Sequence, residues 1–306
     1  MRRNATRRDW LKAAGGLALA GAFPGAATAL GRLDFGTRSV TMLSDGNLVL
    51  PTAFLFPDLP KPEIDAFLTA HGLPTDAFAP DCNVTLVRDG ARTILFDVGA
   101  GPNFMPTAGR LVESLAEAGI DVAEITDIVF THGHPDHLWG LIDDFDEFVF
   151  PQARYRMNRT EWDYWRADDT LARTPEARKS FAVGAQARLA LLEDRIELFE
   201  PGSEVLPGIE AVDTAGHTQG HVSFLLHEGS QSLMIVGDAL SQASVSFERP
   251  DWPYGSDHEP ERAIATRLRL LDRLAGERSA IIGYHLPHPG KGRAERAGGA
   301  YRFVAD

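Results

Sequence analysis

Over the first third of the chain, apolar and polar positions alternate in short runs, the period-two pattern of strands that bury one face. Ser39 to Leu43 forms one run, a turn is expected at Ser44-Asp45-Gly46-Asn47, and Leu48 to Leu50 resumes the pattern. A hairpin is predicted from Asn83 to Arg88 and back through Thr93 to Asp97, turning at Asp89-Gly90. The period then lengthens: Leu111, Leu115 and Ala118 share one side of a helix, ahead of the short strand Asp127 to Thr131. A more polar, helix-leaning stretch fills Arg159 to Leu192. Strands return at Ile196–Phe199, Ile209–Asp213, Val222–Leu226 and Leu233–Val236, followed by a long helix from Pro260 to Leu274 and a strand from Ser279 to Tyr284.

Strands, helix, helices, strands, helix, strand is an order that suits the α+β class, with two mixed sheets packed face to face and helices outside. No fixed-period repeat and no long Pro/Gly/Ser linker divides it, so one unit over about residues 33–306 is expected. Residues 1–29 read differently. The charged run Thr6-Arg7-Arg8-Asp9-Trp10-Leu11-Lys12 precedes a short Gly/Ala/Leu-rich stretch and small residues ending in Ala27-Thr28-Ala29, the layout of a signal peptide and too short for a membrane span. The paired arginines resemble a twin-arginine export signal, which implies a periplasmic protein with no stable membrane anchor once the leader is removed.

Without those residues, which carry five positive charges and one negative, the formal charge moves from −13 to −17. So acidic a chain repels phosphate backbones, and no nucleic-acid partner is expected. The single cysteine, Cys82, cannot close an internal disulfide and is read as a small buried residue.

Candidate chemistry concentrates where strands end. In Thr131-His132-Gly133-His134-Pro135-Asp136-His137, His132 and His134 are two apart in an extended segment and can face one ion, while Pro135 turns Asp136 and His137 toward a second position. Asp136 alone could equally be a helix cap. Three further ligand types, His217 after Gly216, Asp238 after Gly237 and His285 in Gly283-Tyr284-His285, each sit beside glycine near an apolar strand. Imidazole and carboxylate donors suit zinc, with manganese, iron or cobalt as alternatives, and need no thiolate.

The runs HGHPDH, GHTQGH, GDA and GYH resemble the metal signature of the metallo-β-lactamase superfamily. LSDGNLVLP, FDVGAG, TAGRL, HPDHLWGL and the closing HLPHPGKGRAE–GGAYRFV are similar to its methyl parathion hydrolase type. The resemblance implies an αββα sandwich and two divalent ions, one held by His132, His134 and His217 and the other by Asp136, His137 and His285, with Asp238 bridging them. It further implies that Asp97 supports the metal loops, that His221 is structural, and that the protein is a homodimer. The expected chemistry is hydrolysis of a small ester-like molecule (an aryl ester, lactone or phosphotriester) by a hydroxide shared between the ions. Asp136 and Asp238 are its candidate catalytic residues, with Asp136 a candidate proton acceptor.

Phe104, Trp162, Trp165 and Phe181 fall where that type lines its leaving-group pocket, although tryptophans three apart on a helix are also an ordinary packing pattern. Ser241 stands where lactone-cleaving members commonly carry a tyrosine, His288 is a candidate substrate contact, and His71, His227 and His258 are read as solvated or satisfied elsewhere. Two other readings share the fold: a sulfur dioxygenase with a single iron, and a β-lactamase. The full ligand set weighs against the first and Asp238 against the second. A metal carrier without catalysis is a third.

Overall fold

The computed structural model describes residues 31–306, so the expected leader, residues 1–29, lies outside the described residues. Side-chain alternation decides the layering. In Ile94-Leu95-Phe96 the outer two residues enter one apolar cluster and Leu95 another, because both faces of the strand are covered. One sheet holds, in spatial order, Gly31–Phe35, Arg38–Asn47, Asp81–Asp89, Arg92–Phe96, Asp127–Val129, Arg154–Asn158 and Ile196–Phe199. Its first four strands are antiparallel and its last four parallel.

The other sheet runs Glu204–Leu206, Ile209–Asp213, Val222–Glu228, Gln231–Gly237, Ala280–Gly283, Lys291–Ala297 and Ala300–Ala305. It is antiparallel except between Gln231–Gly237 and Ala280–Gly283. The sheets meet through Val40, Met42, Ile94, Phe96 and Val129 on one side and Phe224, Leu226, Leu233, Ile235 and Ile282 on the other. Helices Leu111–Glu117 and Lys179–Leu191 cover the outside of the first sheet, over Leu86, Leu95 and Ile128. Leu270, Leu271 and Leu274 of helix Pro260–Glu277 cover Leu225, Met234 and Ile281 of the second. The result is the expected α+β sandwich of αββα order.

Several elements depart from the pattern read in the chain. The expected turn at 44–47 is instead the end of strand Arg38–Asn47, bent by a register shift between Ser44 and Asn47. Gly46 makes the bend at φ +94°, where a Cβ would lie 2.2 Å from the Thr107 carbonyl oxygen. Asp45 turns inward and accepts N–H bonds from Ala100 (2.7 Å), Leu111 (2.7 Å) and Gly109 (3.3 Å), tying the 99–111 loop to the sheet. Burial pushes its carboxyl up to about 6, against all three donors. Residues 50–78 form an arm: Leu50–Pro51 pairs with Ala77–Phe78, and Leu55, Ile64 and Leu68 pack on Trp252 and Tyr254. No helix among the described residues is long and apolar enough to cross a membrane.

Strand Arg154–Asn158 went unread because its core position is a charge. Arg156 lies buried in mid-sheet and donates to Asp127 on the neighbouring strand at 2.6 Å, with Glu197 at 2.9 Å beyond. Removing Asp127 leaves buried Arg156 with only the exposed Glu197 as counter-charge, whereas removing both buried partners leaves no buried charge. Asp127→Ala is therefore expected to lower unfolding stability by about 3 kcal/mol in urea titration, and adding Arg156→Met to recover part of that loss. A double variant as unstable as the sum of the singles would contradict this account.

Candidate metal centre

Every candidate ligand stands on one rim of the sandwich, in the loop that follows a strand. His132 to His137 continue from Asp127–Val129, His217 precedes Val222–Glu228, Asp238 follows Gln231–Gly237, and His285 follows Ala280–Gly283. Parallel pairing of Gln231–Gly237 with Ala280–Gly283, and the antiparallel turn-back at His217 onto Val222–Glu228, place these ends together without any proximity in sequence. Gly237 is required here: at φ +54° its Cβ would lie 2.7 Å from His221 Nε2.

The inner atoms converge. His134 Nδ1 is 3.0 Å from His132 Nε2 and 2.9 Å from His217 Nε2. Asp136 Oδ2 lies 3.1 Å from His285 Nε2 and 3.4 Å from His137 Nε2. Asp238 stands between the two groups: Oδ2 is 3.3 Å from both His217 Nε2 and His285 Nε2, and Oδ1 is 3.2 Å from His137 Nε2.

Each imidazole is held by its outer nitrogen. His132 Nδ1 lies 3.0 Å from Thr131 Oγ1, whose own proton goes to Asp97 Oδ2 at 2.8 Å, so the histidine donates. His137 Nδ1 meets Asp97 Oδ2 at 2.8 Å, His217 Nδ1 meets Asp257 Oδ1 at 3.0 Å, and His285 Nδ1 meets the Asp81 carbonyl oxygen at 2.8 Å. Gln219 Oε1, 2.9 Å from His258 Nδ1, takes that nitrogen's proton and leaves His258 Nε2 to accept from His134 Nε2 at 3.1 Å. With outer nitrogens committed as donors, the inner nitrogens present lone pairs to a common centre, as metal-binding histidines do.

The donor set fits two divalent cations on a further observation. Asp136 Oδ2, His137 Nε2 and Asp238 Oδ1 are buried without a hydrogen-bond partner among the described residues, a costly state unless a cation satisfies them. Burial, reinforced by neighbouring imidazoles, holds His132 and His134 well below the usual histidine range, in the neutral form that binds metal. Burial opposes charge on His137 and His285 too, but Asp238 and Asp136 outweigh it and hold both well above that range. The two carboxylates are in turn held well below theirs, since those histidines overcome the burial that would raise them. This half of the site thus demands positive charge.

Asp97, at a left-handed φ of 68°, braces the 131–137 loop at both ends, through Thr131 and His137. His221 binds Thr214 Oγ1 at 2.8 Å and accepts from the Asp238 amide at 3.0 Å, so it shapes the loop and stays outside the ligand set. His71 pairs with Glu248 at 2.9 Å, and His227 is exposed. His258 corrects the sequence reading: it is drawn inward because His134 needs an acceptor. Glu161, Asp257 and Asn83 were not foreseen. Glu161 binds the Gly133 and Gly220 amides (2.8 and 2.9 Å) and Thr218 Oγ1 (2.7 Å), joining two histidine loops. Asn83 Nδ2 donates to the carbonyls of Gly283, Tyr284 and Leu286. Cys82 is buried as expected, with its thiol pushed up to about 12 by burial, yet its sulfur joins Asp136 and His285 in a cluster whose ligand atoms lie within 4.8 Å of one another.

The centre floors a cavity of about 580 Å³. Its walls are largely apolar, supplied by Leu48–Leu55 and residues 73–80 of the arm and, opposite, by Phe104, Met105 and Phe181, with Ser241 near Asp238. Trp165 is a correction. It is 1% exposed, donates its indole N–H to Glu161 at 2.6 Å and is absent from the wall, since a buried carboxylate claims the N–H and the helix carries the ring into the core. Trp162 likewise packs on the core. His288 is corrected as well: its amide binds Asp81 and its Nδ1 lies 2.7 Å from Asn83 Oδ1, so it braces the loop behind His285 rather than facing the cavity.

An αββα sandwich with paired metal-ligand clusters on one rim defines a class of protein. Residues 78–282 match the family model described as the metallo-beta-lactamase superfamily, and the chain belongs to that superfamily. Metallo-beta-lactamase domain-containing protein 1 of Xenopus laevis is 30% identical over 200 residues, covering 64% of this chain and 68% of that protein. Two solved structures superpose with a TM-score of 0.85. One is AidC, a dizinc quorum-quenching lactonase in complex with a product (24% identity, 91% of this chain and 97% of that one). The other is the hydrolase AbOPH in the beta lactamase superfamily (26%, covering 92% and 98%).

His258→Ala is expected to weaken binding of the ion at His132, His134 and His217 by about 10–100-fold, measured by competition with a chromophoric chelator. His258→Gln, which keeps an acceptor, should restore much of it. Unchanged affinity in the alanine variant would show that the contact does not orient His134.

Proposed function

We propose that this chain hydrolyses ester-like bonds, lactones or carboxyl esters with an extended apolar arm, at a centre of two divalent ions. The observation that carries this reading is the convergence of five imidazole nitrogens and two carboxylates on the floor of an apolar cavity. Two divalent ions held there supply a water acidic enough to act near neutral pH and an electrophile for the scissile group. Zinc is the proposed metal.

The protein's share of the work follows from its own groups. Asp238 faces both halves and sets their separation. Asp136, beside His285 and His137, is the proposed proton acceptor during turnover. The apolar walls exclude water and take the arm. Ser241 donates to the Asp238 carbonyl at 2.8 Å, and its short side chain leaves room where a tyrosine would reach the substrate. This supports a methyl parathion hydrolase-like enzyme, with phosphotriester cleavage incidental to work on carbonyl esters. The proposal includes a periplasmic site of action and a homodimer, supported by the leader sequence and by the family resemblance.

Elemental analysis paired with initial rates on an aryl ester, a lactone, a phosphotriester and a β-lactam tests it. Two ions per chain and turnover of the ester or lactone are expected. One iron per chain with none of the four hydrolysed would overturn the reading. Loss of a ligand, as in His217→Ala, should cost more activity than the about 10–100-fold attached to an outer partner. Asp136→Asn retaining both ions and full turnover would rule out its role in proton transfer.

A further inference from the structure

Apart from histidines, Arg178 is the one basic side chain on the cavity wall among the described residues. It is half-buried, and the only side-chain hydrogen bonds it makes among the described residues run from Nη1 to the carbonyls of Ser256 (3.1 Å) and Asp257 (3.4 Å). No described carboxylate lies within ion-pair distance of it, although the protein is strongly acidic and most other described arginines have such a partner. The nearby Asp257 carboxylate is already engaged by His217 at 3.0 Å and Arg267 at 3.2 Å. The Nε and Nη2 donors therefore have no protein partner among the described residues, on a side chain that lines the apolar cavity and is free to meet a ligand.

We propose that Arg178 binds a carboxylate on the substrate, remote from the scissile bond, so that the preferred substrates are esters or lactones whose apolar arm carries a free acid. The inference rests on the hydrolase reading above and narrows its substrate class. A guanidinium presents a planar fork of N–H donors that matches two carboxylate oxygens, and the match strengthens where water is excluded. The apolar wall between Arg178 and the metal floor, with Phe181 one helical turn from Arg178, takes the connecting chain. An acidic surface repels anions in general, so this recognition is local to the wall.

The position is also tied to the metal floor. Ser256 and Asp257, which hold Arg178, continue into His258, whose side chain holds His134 and whose amide donates to the His217 carbonyl at 2.9 Å. A carboxylate seated on Arg178 thus bears on the loop that orients two ligands of one ion. That makes Arg178 a specificity residue for the reacting centre.

The test compares 4-nitrophenyl half-esters of linear dicarboxylic acids of graded length with 4-nitrophenyl alkanoates of matched length, on metal-loaded protein. Wild type is expected to favour the half-ester by about tenfold or more in kcat/KM at the length that spans the cavity. Arg178→Gln should bring that ratio close to one. Arg178→Lys, which keeps the charge and a donor for the Ser256 carbonyl, should retain part of it. No preference in wild type at any length, or a preference that survives Arg178→Gln, would overturn the proposal. Failure of wild type to hydrolyse any of these esters would instead strike at the hydrolase reading. Binding answers without turnover: titration with a long-chain dicarboxylate monoamide should be about tenfold weaker for Arg178→Gln, and equal affinities would overturn the proposal. Thermal unfolding and metal content confirm that both variants are folded.

Discussion

Two buried carboxylates, Asp136 and Asp238, constrain the rest of this molecule. Each has an oxygen with no hydrogen-bond partner among the described residues, and an uncompensated carboxylate in an interior is among the most expensive things a fold can contain. The surroundings answer with positive charge or its potential: His137 and His285 are held well above their usual range by these acids. Two divalent cations would satisfy the same demand more completely.

Rigidity around that demand comes from the outer contacts. Asp97, Asp257, Thr131, His258 and the Asp81 carbonyl hold one nitrogen of each ligand histidine, which sets both tautomer and ring plane. Glu161 and Asn83 then bind the loops to one another through backbone amides and carbonyls. The candidate ligands are thereby held from behind, and the geometry of the centre does not rest on a few flexible side chains.

Specificity has a different origin. The match to the superfamily begins at residue 78, whereas much of the apolar wall comes from residues 48–74, most of them in the arm that packs on Trp252 and Tyr254. A shared sandwich thus carries the metal floor, and a segment outside the matched range shapes what can reach it. Arg178 and Phe181, at the start of helix Lys179–Leu191, close the cavity from the opposite side.

The seven candidate ligands, which the structure brings to one rim, stood out in the chain because metal chemistry confines donors to a few residue types and the strand-end loops keep four of them within six positions. The two-sheet layering was legible because alternation with a period of two survives wherever core positions are apolar. It failed at Arg156, where an ion pair occupies a core position, and at Asp45, whose turn-like neighbours hide an inward carboxylate that three distant amides reward. Trp165 and His288 looked like pocket residues, and His258 like a bystander, because a side chain's direction depends on which partner claims it. Those partners lie 4 residues away in one case and 205 and 124 in the others. Sequence alone determined the ligand types and the layered fold; only the tertiary structure decided which polar groups face the ions, which brace the ligands, and which, like Arg178, are left with unspent donors, since those are long-range pairings that no local pattern encodes.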